Sequence, residues 1–489
     1  MKIKYLLLVI ATVAITHHAS AQYSADAIRF SGTQPGSTSR IKALGNANVS
    51  VGGDLTSIGG NPAGLGFFTK SELSITPELN MNKTNSYYLG QNTNGSRNDG
   101  NFNNASVVFY GKLNKAPGED KSKGWLSVNF GASYNRTNNF YQKTSYRGEN
   151  LSSSIADYYA DLGNIALANN YSLNGYLEGW AQNQGLIKLN SDKFYDPTTA
   201  LGGTQYNTIN TTGGQSSLDF SFGANYSNKF YIGGGFGITN IRYNTTSDFT
   251  EERFLTENIN RNYVSTYTRD QSTRGNGFNG RLGIIYKPVE MVRVGATVTT
   301  PTWYTIDDSS SEGLATKYGN ERTQSDGSNY PLTYQLRTPY KVAGGISVFA
   351  GKLGFITGDI EYVDYASTKL SESSDYEFDF SGDNADIKSF YKGAVNARFG
   401  AEARLTPNFM LRGGYGILGS PVRNADSDAN TKTISGGVGY RFANYYIDAT
   451  YMHIQAKYGQ YPYEIGELSP LASIKNTNNN VFVTLGLRF

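Results

Sequence analysis

Beyond the first two dozen residues, apolar and polar positions alternate along the chain with a period of two. In WLSVNFGASYN, residues 125–135, Leu126, Val128, Phe130, Ala132 and Tyr134 fall on one face. Ser127, Asn129, Gly131, Ser133 and Asn135 fall on the other. SLDFSFGANYS repeats the pattern, with Leu218, Phe220, Phe222, Ala224 and Tyr226 opposite Asp219, Ser221, Gly223, Asn225 and Ser227. Each segment reads as a strand with one apolar and one wet side. The pattern predicts strands near 71–81, 105–113, 125–136, 216–227, 230–245, 276–287 and 292–304. It continues near 334–349, 353–366, 390–405, 409–419, 432–442, 445–457 and 480–489, about fourteen in all.

The connections alternate in length. Short turns lie at 227–229, 288–291, 350–352, 406–408 and 443–444, and long polar loops are expected near 82–103, 137–215, 246–275, 305–333, 368–388, 420–431 and 458–479. Short on one side and long on the other is the asymmetry of an outer-membrane barrel, and an even strand number returns the chain to its starting side. The expected fold is therefore all-β: a transmembrane antiparallel barrel of about 14 strands. The last segment, VFVTLGLRF, places Val481, Val483, Leu485, Leu487 and Phe489 on one lipid-type face. Such an aromatic C-terminus looks like the signal that hands a barrel to its assembly machinery. A soluble secreted sandwich would alternate too, but strands near ten residues, tyrosines at strand ends and the loop asymmetry favour the membrane reading.

Composition narrows the chemistry. Lys2 and Lys4, the apolar run Tyr5 to Ile15 and the small residues Ala19 and Ala21 before Gln22 read as a secretory leader over 1–21. Its loss lowers the formal charge from +3 by two, to +1, which leaves no basic surplus for nucleic acid. His17 and His18 leave with it, so the mature chain holds His453 and no cysteine. Thiolate nucleophiles, zinc sets and histidine clusters are thereby removed. No later run of roughly 18 apolar residues could span as a helix, whereas membrane strands pass such a test unseen.

Several stretches resemble the FadL-type outer-membrane transporters of long-chain fatty acids and other hydrophobic molecules. They are GGDLTSIGGNPAGLG, GRLGIIYKPVEMVRVGATVTTPTWY, GFITGDIEYVDYA, RFGAEARLTPNFMLRGGYGILGSPV and ISGGVGYRFANYYIDATYMH, in that order along the chain. The resemblance implies a barrel over 71–489 closed by an N-terminal plug, or hatch, over 22–70, with a partly helical extracellular insertion at 148–214. It further implies a monomer in the outer membrane of a Gram-negative bacterium, in contact with its lipids. A hydrophobic, fatty acid-like ligand would be captured outside, bound in the lumen against the plug and released sideways between strands. No cofactor or energy source is implied.

Each candidate residue carries a plainer alternative. Asn61, Pro62 and Ala63 match the family's NPA element in the shifting hatch; they also fit a turn whose Asn bonds its own backbone. Ile155, Tyr159, Leu162 and Ile165, then Leu173, Leu177 and Trp180, recur at helical spacing. The resemblance makes them a capture groove; otherwise they pack two helices together. Arg281, Arg293, Arg398 and Arg412 fall on polar strand faces, as do Asp359, Glu361 and Glu402. One arginine could meet a ligand carboxylate, or all could fill the lumen as paired charges. GGGFG at 233–237 lacks the following helix of a dinucleotide loop and reads as small residues making room. His453 has no evident nucleophile or orienting partner, so an outer-membrane lipase is the weakest alternative. A binding or assembly component of a protein secretion system is the other.

Overall fold

The computed structural model describes residues 20–34, 36–257, 261–373, 378–425 and 427–489; the expected leader lies outside them except for its last two residues. Fourteen antiparallel strands form one sheet. These are β1 Glu72–Tyr88, β2 Gln91–Phe109, β3 Trp125–Asn139 continued by Gln142–Asn150, and β4 Gly203–Tyr226. Next come β5 Phe230–Phe254, β6 Asn262–Val289, β7 Val292–Thr299 continued by Trp303–Tyr318, and β8 Gln324–Arg337 continued by Lys341–Phe349. The last six are β9 Gly354–Asp364 continued by Lys369–Glu372, β10 Gly393–Arg404, β11 Phe409–Leu418, β12 Thr431–Phe442, β13 Tyr445–Gln460 and β14 Ala472–Arg488. Each strand pairs with the next in sequence, and β1 pairs with β14 from Glu72↔Arg488 to Tyr87↔Ser473, which closes the barrel.

Burial runs opposite to that of a soluble protein. On β1, Leu79 is 61% exposed and its neighbour Asn80 only 2%; on β3, Phe130 is 59% exposed and Asn129 0%. The apolar face points outward and the polar face inward, as a lipid-facing barrel requires. Trp125, Tyr226, Tyr286, Tyr440, Tyr445 and Phe489 form an exposed aromatic band near the short-turn end.

Three of the expected loops are instead strands. β1 and β2 are joined only by Leu89-Gly90, so 82–103 is a hairpin; β5 and β6 run on through most of 246–275, and β7 and β8 through most of 305–333. The extensions of β5 to β8 lie beyond the apolar belt, where the outward face need no longer be apolar and the period-two contrast weakens. The ladder is carried there by cross-strand polar pairs such as Thr250 Oγ1 with Thr266 Oγ1 at 2.9 Å.

The N-terminal residues run through the lumen. They comprise helix α1 Ser20–Ser31, helix α2 Ser39–Ala43 and two 3₁₀ turns, Leu55–Ile58 and Pro62–Phe67. Inward-facing strand glycines mark where they sit: a Cβ at Gly223 or Gly233 would overlap Pro62, one at Gly283 Asn61, one at Gly295 Val49, and one at Gly400 or Gly414 Leu44. Gly233 belongs to the GGGFG stretch, whose small residues do make room, in this case for Pro62.

Residues 151–202 hold helices α3 Ile155–Ala168 and α4 Leu177–Asn183 and a small hairpin, Ile187–Leu189 with Tyr195–Pro197. Ser154 caps α3: its Oγ accepts from the Ala156 N–H at 3.1 Å, while Asp157 accepts from the Ser154 N–H at 2.8 Å. A further helix, α5 Ser381–Phe390, packs against α1.

Replacing Gly283 with Leu should leave the barrel intact, since its ladder is untouched, but expel the Asn61 corner. Limited proteolysis in detergent should then cut within 22–70 while the heat-modifiable gel shift persists; an unchanged digestion pattern would contradict this packing.

Candidate functional site

The N-terminal segment is held by polar groups that the strands turn inward. Asp359 Oδ2 accepts from the backbone N–H groups of Asn48 at 2.6 Å and Val49 at 2.8 Å. Ser39 N–H donates to Thr484 Oγ1 at 2.7 Å, and Ser39 Oγ to Thr450 Oγ1 at 2.8 Å. Asn129 Nδ2 donates to the carbonyls of Leu65 and Phe68 at 2.6 and 3.1 Å. Asn61 does two things at once: its Oδ1 accepts from Ala63 N–H at 3.1 Å, capping the Pro62 turn. Its Nδ2 reaches Val49 O at 2.7 Å and the strand carbonyls of Ile284 and Ala296 at 3.2 and 3.3 Å.

Toward the long-loop end the lumen changes character. Ile241, Tyr243, Tyr304, Ile306, Leu332, Tyr334, Leu336 and Leu370 all turn inward and are buried, forming an apolar chamber. Tyr23, Ala27, Ile28 and Phe30 of α1 fill it. Phe30 lies edge-on to Phe140 and Tyr243, with centroids at 6.0 and 5.8 Å. Polar contacts tether the helix: Gln271 Nε2 donates to Asp26 Oδ2 at 2.6 Å, and Gln215 Nε2 to Phe30 O at 2.8 Å.

Phe140 stands where the wall is interrupted. The β2–β3 ladder runs only from Phe109↔Phe130 to Asn104↔Asn135. β3 then breaks at Phe140-Tyr141 and continues as Gln142–Asn150 on β4 alone. Its second half lies against the inward sides of both β1 and β2: Thr84 Oγ1 donates to Lys143 O at 2.8 Å, the rings of Tyr88 and Tyr146 meet at 4.8 Å, and a Cβ at Gly95 of β2 would overlap Lys143 O. β2 above Asn104 thus has no paired β3 partner among the described residues, while Phe102 beside it remains 61% exposed on the lipid side. The N-terminal segment covers this seam from within. Gln34 N–H donates to Thr137 O at 2.9 Å, Asn138 Nδ2 reaches Gly32 O at 3.4 Å, and Asn103 donates to Ser37 O. Sequence reasoning missed the seam; the Asn138-Asn139 pair before Phe140 is its only local sign.

The arginines divide. Arg281 pairs with Asp219 at 2.8 Å, Arg398 with Glu361 at 2.8 Å, and Arg412 with Glu402 at 2.8 Å and Asp448 at 2.6 Å, the three arginines being buried. These three fill the lumen as paired charges. Among the described residues Arg293 has no such partner: its guanidinium lies between the rings of Phe67 at 4.2 Å and Phe349 at 4.1 Å and donates to Val51 O. Ile155, Tyr159, Leu177 and Trp180 come together in a buried cluster with Phe249, Tyr263, Tyr267, Leu314 and Tyr318, and Leu162 packs at its edge. They bind the two helices to the strand extensions and expose no groove of their own. His453 Nδ1 lies 2.8 Å from Asn479 Oδ1.

The lid over the chamber is titratable. Asp383 and Asp386 are both buried on α5, which packs on α1. Burial, then the neighbouring Asp386, pushes the Asp383 carboxyl up to about 7. A carboxyl raised on docking favours the docked state when protonated, so α5 docking should weaken as pH rises from about 4 to about 7. Amide exchange in α5, corrected for intrinsic rate, should show protection falling across that window in wild type and staying flat in Asp383→Asn; equal profiles would contradict it.

No protein-family model matches the chain, and no curated protein matches it. Solved structures do. The Pseudomonas putida toluene transporter TodX superposes with a TM-score of 0.51 at 13% identity, covering 93% of this chain and 99% of that one. A Pseudomonas aeruginosa FadL homologue gives 0.51 at 12% identity over 94% and 99%. A TodX monoaromatic hydrocarbon channel lacking S2 gives 0.53 at 12% over 93% and 99%. Likeness at this identity speaks to architecture, and these neighbours are transporters and channels rather than enzymes. The chain has the fold of the FadL-type outer-membrane transporters.

Proposed function

We propose that this protein is an outer-membrane channel for the uptake of hydrophobic small molecules, with residues 22–70 as its plug. The carrying observation is the apolar chamber filled by α1, set beside a seam where β3 leaves β2. A hydrophobic solute entering from the long-loop end would meet Tyr243, Tyr304 and Tyr334 only by displacing Tyr23, Ile28 and Phe30. Ligand and helix thus compete for the same apolar surface, which couples binding to movement of the plug. Residues 32–34, directly after α1, and 36–38 cover the seam, so their withdrawal would open a sideways path past Phe140 into the bilayer.

First capture falls to the insertion near 148–214. Since Ile155, Tyr159, Leu177 and Trp180 are packed away, the surface offered is Leu151, Tyr171, Tyr176, Phe194 and Leu201, each at least half exposed. Asn61, Pro62 and Ala63 would act as the hinge of the lower plug: the Asn61 amide joins the segment to β6 and β7 by hydrogen bonds that can be exchanged without unfolding. The named solutes of the neighbours, toluene and monoaromatic hydrocarbons, fit the chamber's chemistry, as does a fatty acid tail. Tyr451 and His453 both meet Asn479, an ordinary polar contact that supplies no hydrolytic machinery.

A cysteine pair tests the path, and the native chain has no cysteine to interfere. With Gln34→Cys and Thr137→Cys, oxidation pins the segment across the seam. Uptake of labelled toluene and labelled fatty acid into proteoliposomes should fall to the protein-free level when oxidised and return on reduction; equal uptake in both states would contradict the seam as the exit.

A further inference from the structure

Below the plug, at the short-turn end, lies a cavity of about 460 Å³ whose wall includes five guanidiniums, those of Arg40, Arg293, Arg404, Arg441 and Arg488. Few carboxylates answer them. Glu402 takes Arg40 at 2.9 Å and Arg412 at 2.8 Å, and stands 3.6 Å from Arg404. Asp448 takes Arg412 at 2.6 Å and Arg441 at 3.2 Å, Glu72 takes Arg488 at 2.7 Å, and Asp54 lies 3.6 Å from Arg40. Five arginines therefore share four carboxylates, and among the described residues Arg293 meets none. Nearby Lys287 and Glu290 pair with each other and leave the balance unchanged.

The two least neutralised cations are Arg293 and Arg404. Arg293 is fixed by ring stacking and one backbone carbonyl, and its buried Nε has no hydrogen-bond partner. Arg404 is 43% exposed at the rim, with only the 3.6 Å approach to Glu402. A surplus of guanidinium in a cavity walled by protein concentrates anions and presents paired N–H groups to planar or tetrahedral oxyanions. The roof is plug, through Arg40, Val51, Gly52, Gly53 and Phe67; the floor is barrel.

We propose that this cavity binds an oxyanion, a carboxylate or phosphate group, between plug and barrel at the periplasmic mouth. The bound group would come either from an amphiphile head or from a free small anion, and either would tie Arg40 of the plug to Arg293 and Arg404 of the wall. The proposal goes beyond the uptake reading, because binding here requires no transport.

Calorimetric titration of the full chain in uncharged detergent tests it, with acetate, inorganic phosphate, dodecanoate and dodecanol as probes. The expected result is binding of anions but not of dodecanol, weakened by salt. Arg293→Gln and Arg404→Gln should each weaken it about tenfold or more, as expected for loss of a charged hydrogen-bond donor. Arg404 lies at the rim, so its variant keeps the test alive if Arg293→Gln disturbs the plug; the heat-modifiable gel shift checks folding. Binding of acetate or phosphate supports the site with a free anion as occupant, and binding of dodecanoate alone supports it with an amphiphile head. Absence of anion binding, equal binding of dodecanol and dodecanoate, or affinity unchanged in both variants would overturn it. Uptake plays no part in the readout, so the outcome stands apart from that of the cysteine lock.

Discussion

Within hydrocarbon no backbone N–H or C=O can go without a partner, and this requirement shapes the whole chain. It forces the ladder to close between β1 and β14. It also makes any lapse in the ladder conspicuous. The described structure has such a lapse where β3 leaves β2 above Asn104↔Asn135, beside the exposed Phe102. The N-terminal segment covers this gap from within: Gln34 N–H donates to Thr137 O, and the Asn138 and Asn103 side chains meet the Gly32 and Ser37 carbonyls. A covered gap differs from a closed wall because its cover can be exchanged.

The interior is built around that cover. Strand glycines leave room for Asn61, Pro62, Val49 and Leu44, and Asp359, Thr450, Thr484 and Asn129 provide matching polar groups. The lower lumen thus binds the segment through hydrogen bonds, which are individually worth little net and can be traded for water, and through small apolar clusters around Leu44, Leu55 and Ala63. At the long-loop end the seating is apolar, through α1 in its chamber. Under the proposed function, a hydrophobic solute would compete for that seat. The lower segment is pinned by hydrogen bonds together with small apolar clusters, whereas α1 is seated mainly by apolar contact, which on the proposed reading makes it the end a greasy ligand would dislodge.

Much of this architecture was legible in the residues. Alternation in Leu126 to Asn135 and Leu218 to Ser227 identified lipid and lumen faces, because in a membrane strand one face must match hydrocarbon and the other cannot. The strand number followed. The extensions of β5 to β8 escaped notice because outside the hydrocarbon the outward face need not be apolar, and Thr and Asn runs read as loop. Arg281, Arg398 and Arg412 could be placed on the wet face, yet only their partners Asp219, Glu361, Glu402 and Asp448, distant in sequence, decide that they are structural. The same holds for Arg293, whose stacking needs Phe67 and Phe349. Helix α1 carried a usable sign in Tyr23, Ala27 and Phe30 at helical spacing, obscured by its overlap with the end of the expected leader. The break at Phe140 had none beyond a pair of asparagines.

The central claim is that a hydrophobic solute and helix α1 occupy the same chamber in turn. A crystal structure of the protein grown with saturating toluene or a fatty acid addresses this directly. The expected result is ligand density against Tyr243, Tyr304 and Tyr334 with Tyr23, Ile28 and Phe30 displaced from them. Density confined to the outer loops, with α1 seated as before, would contradict it.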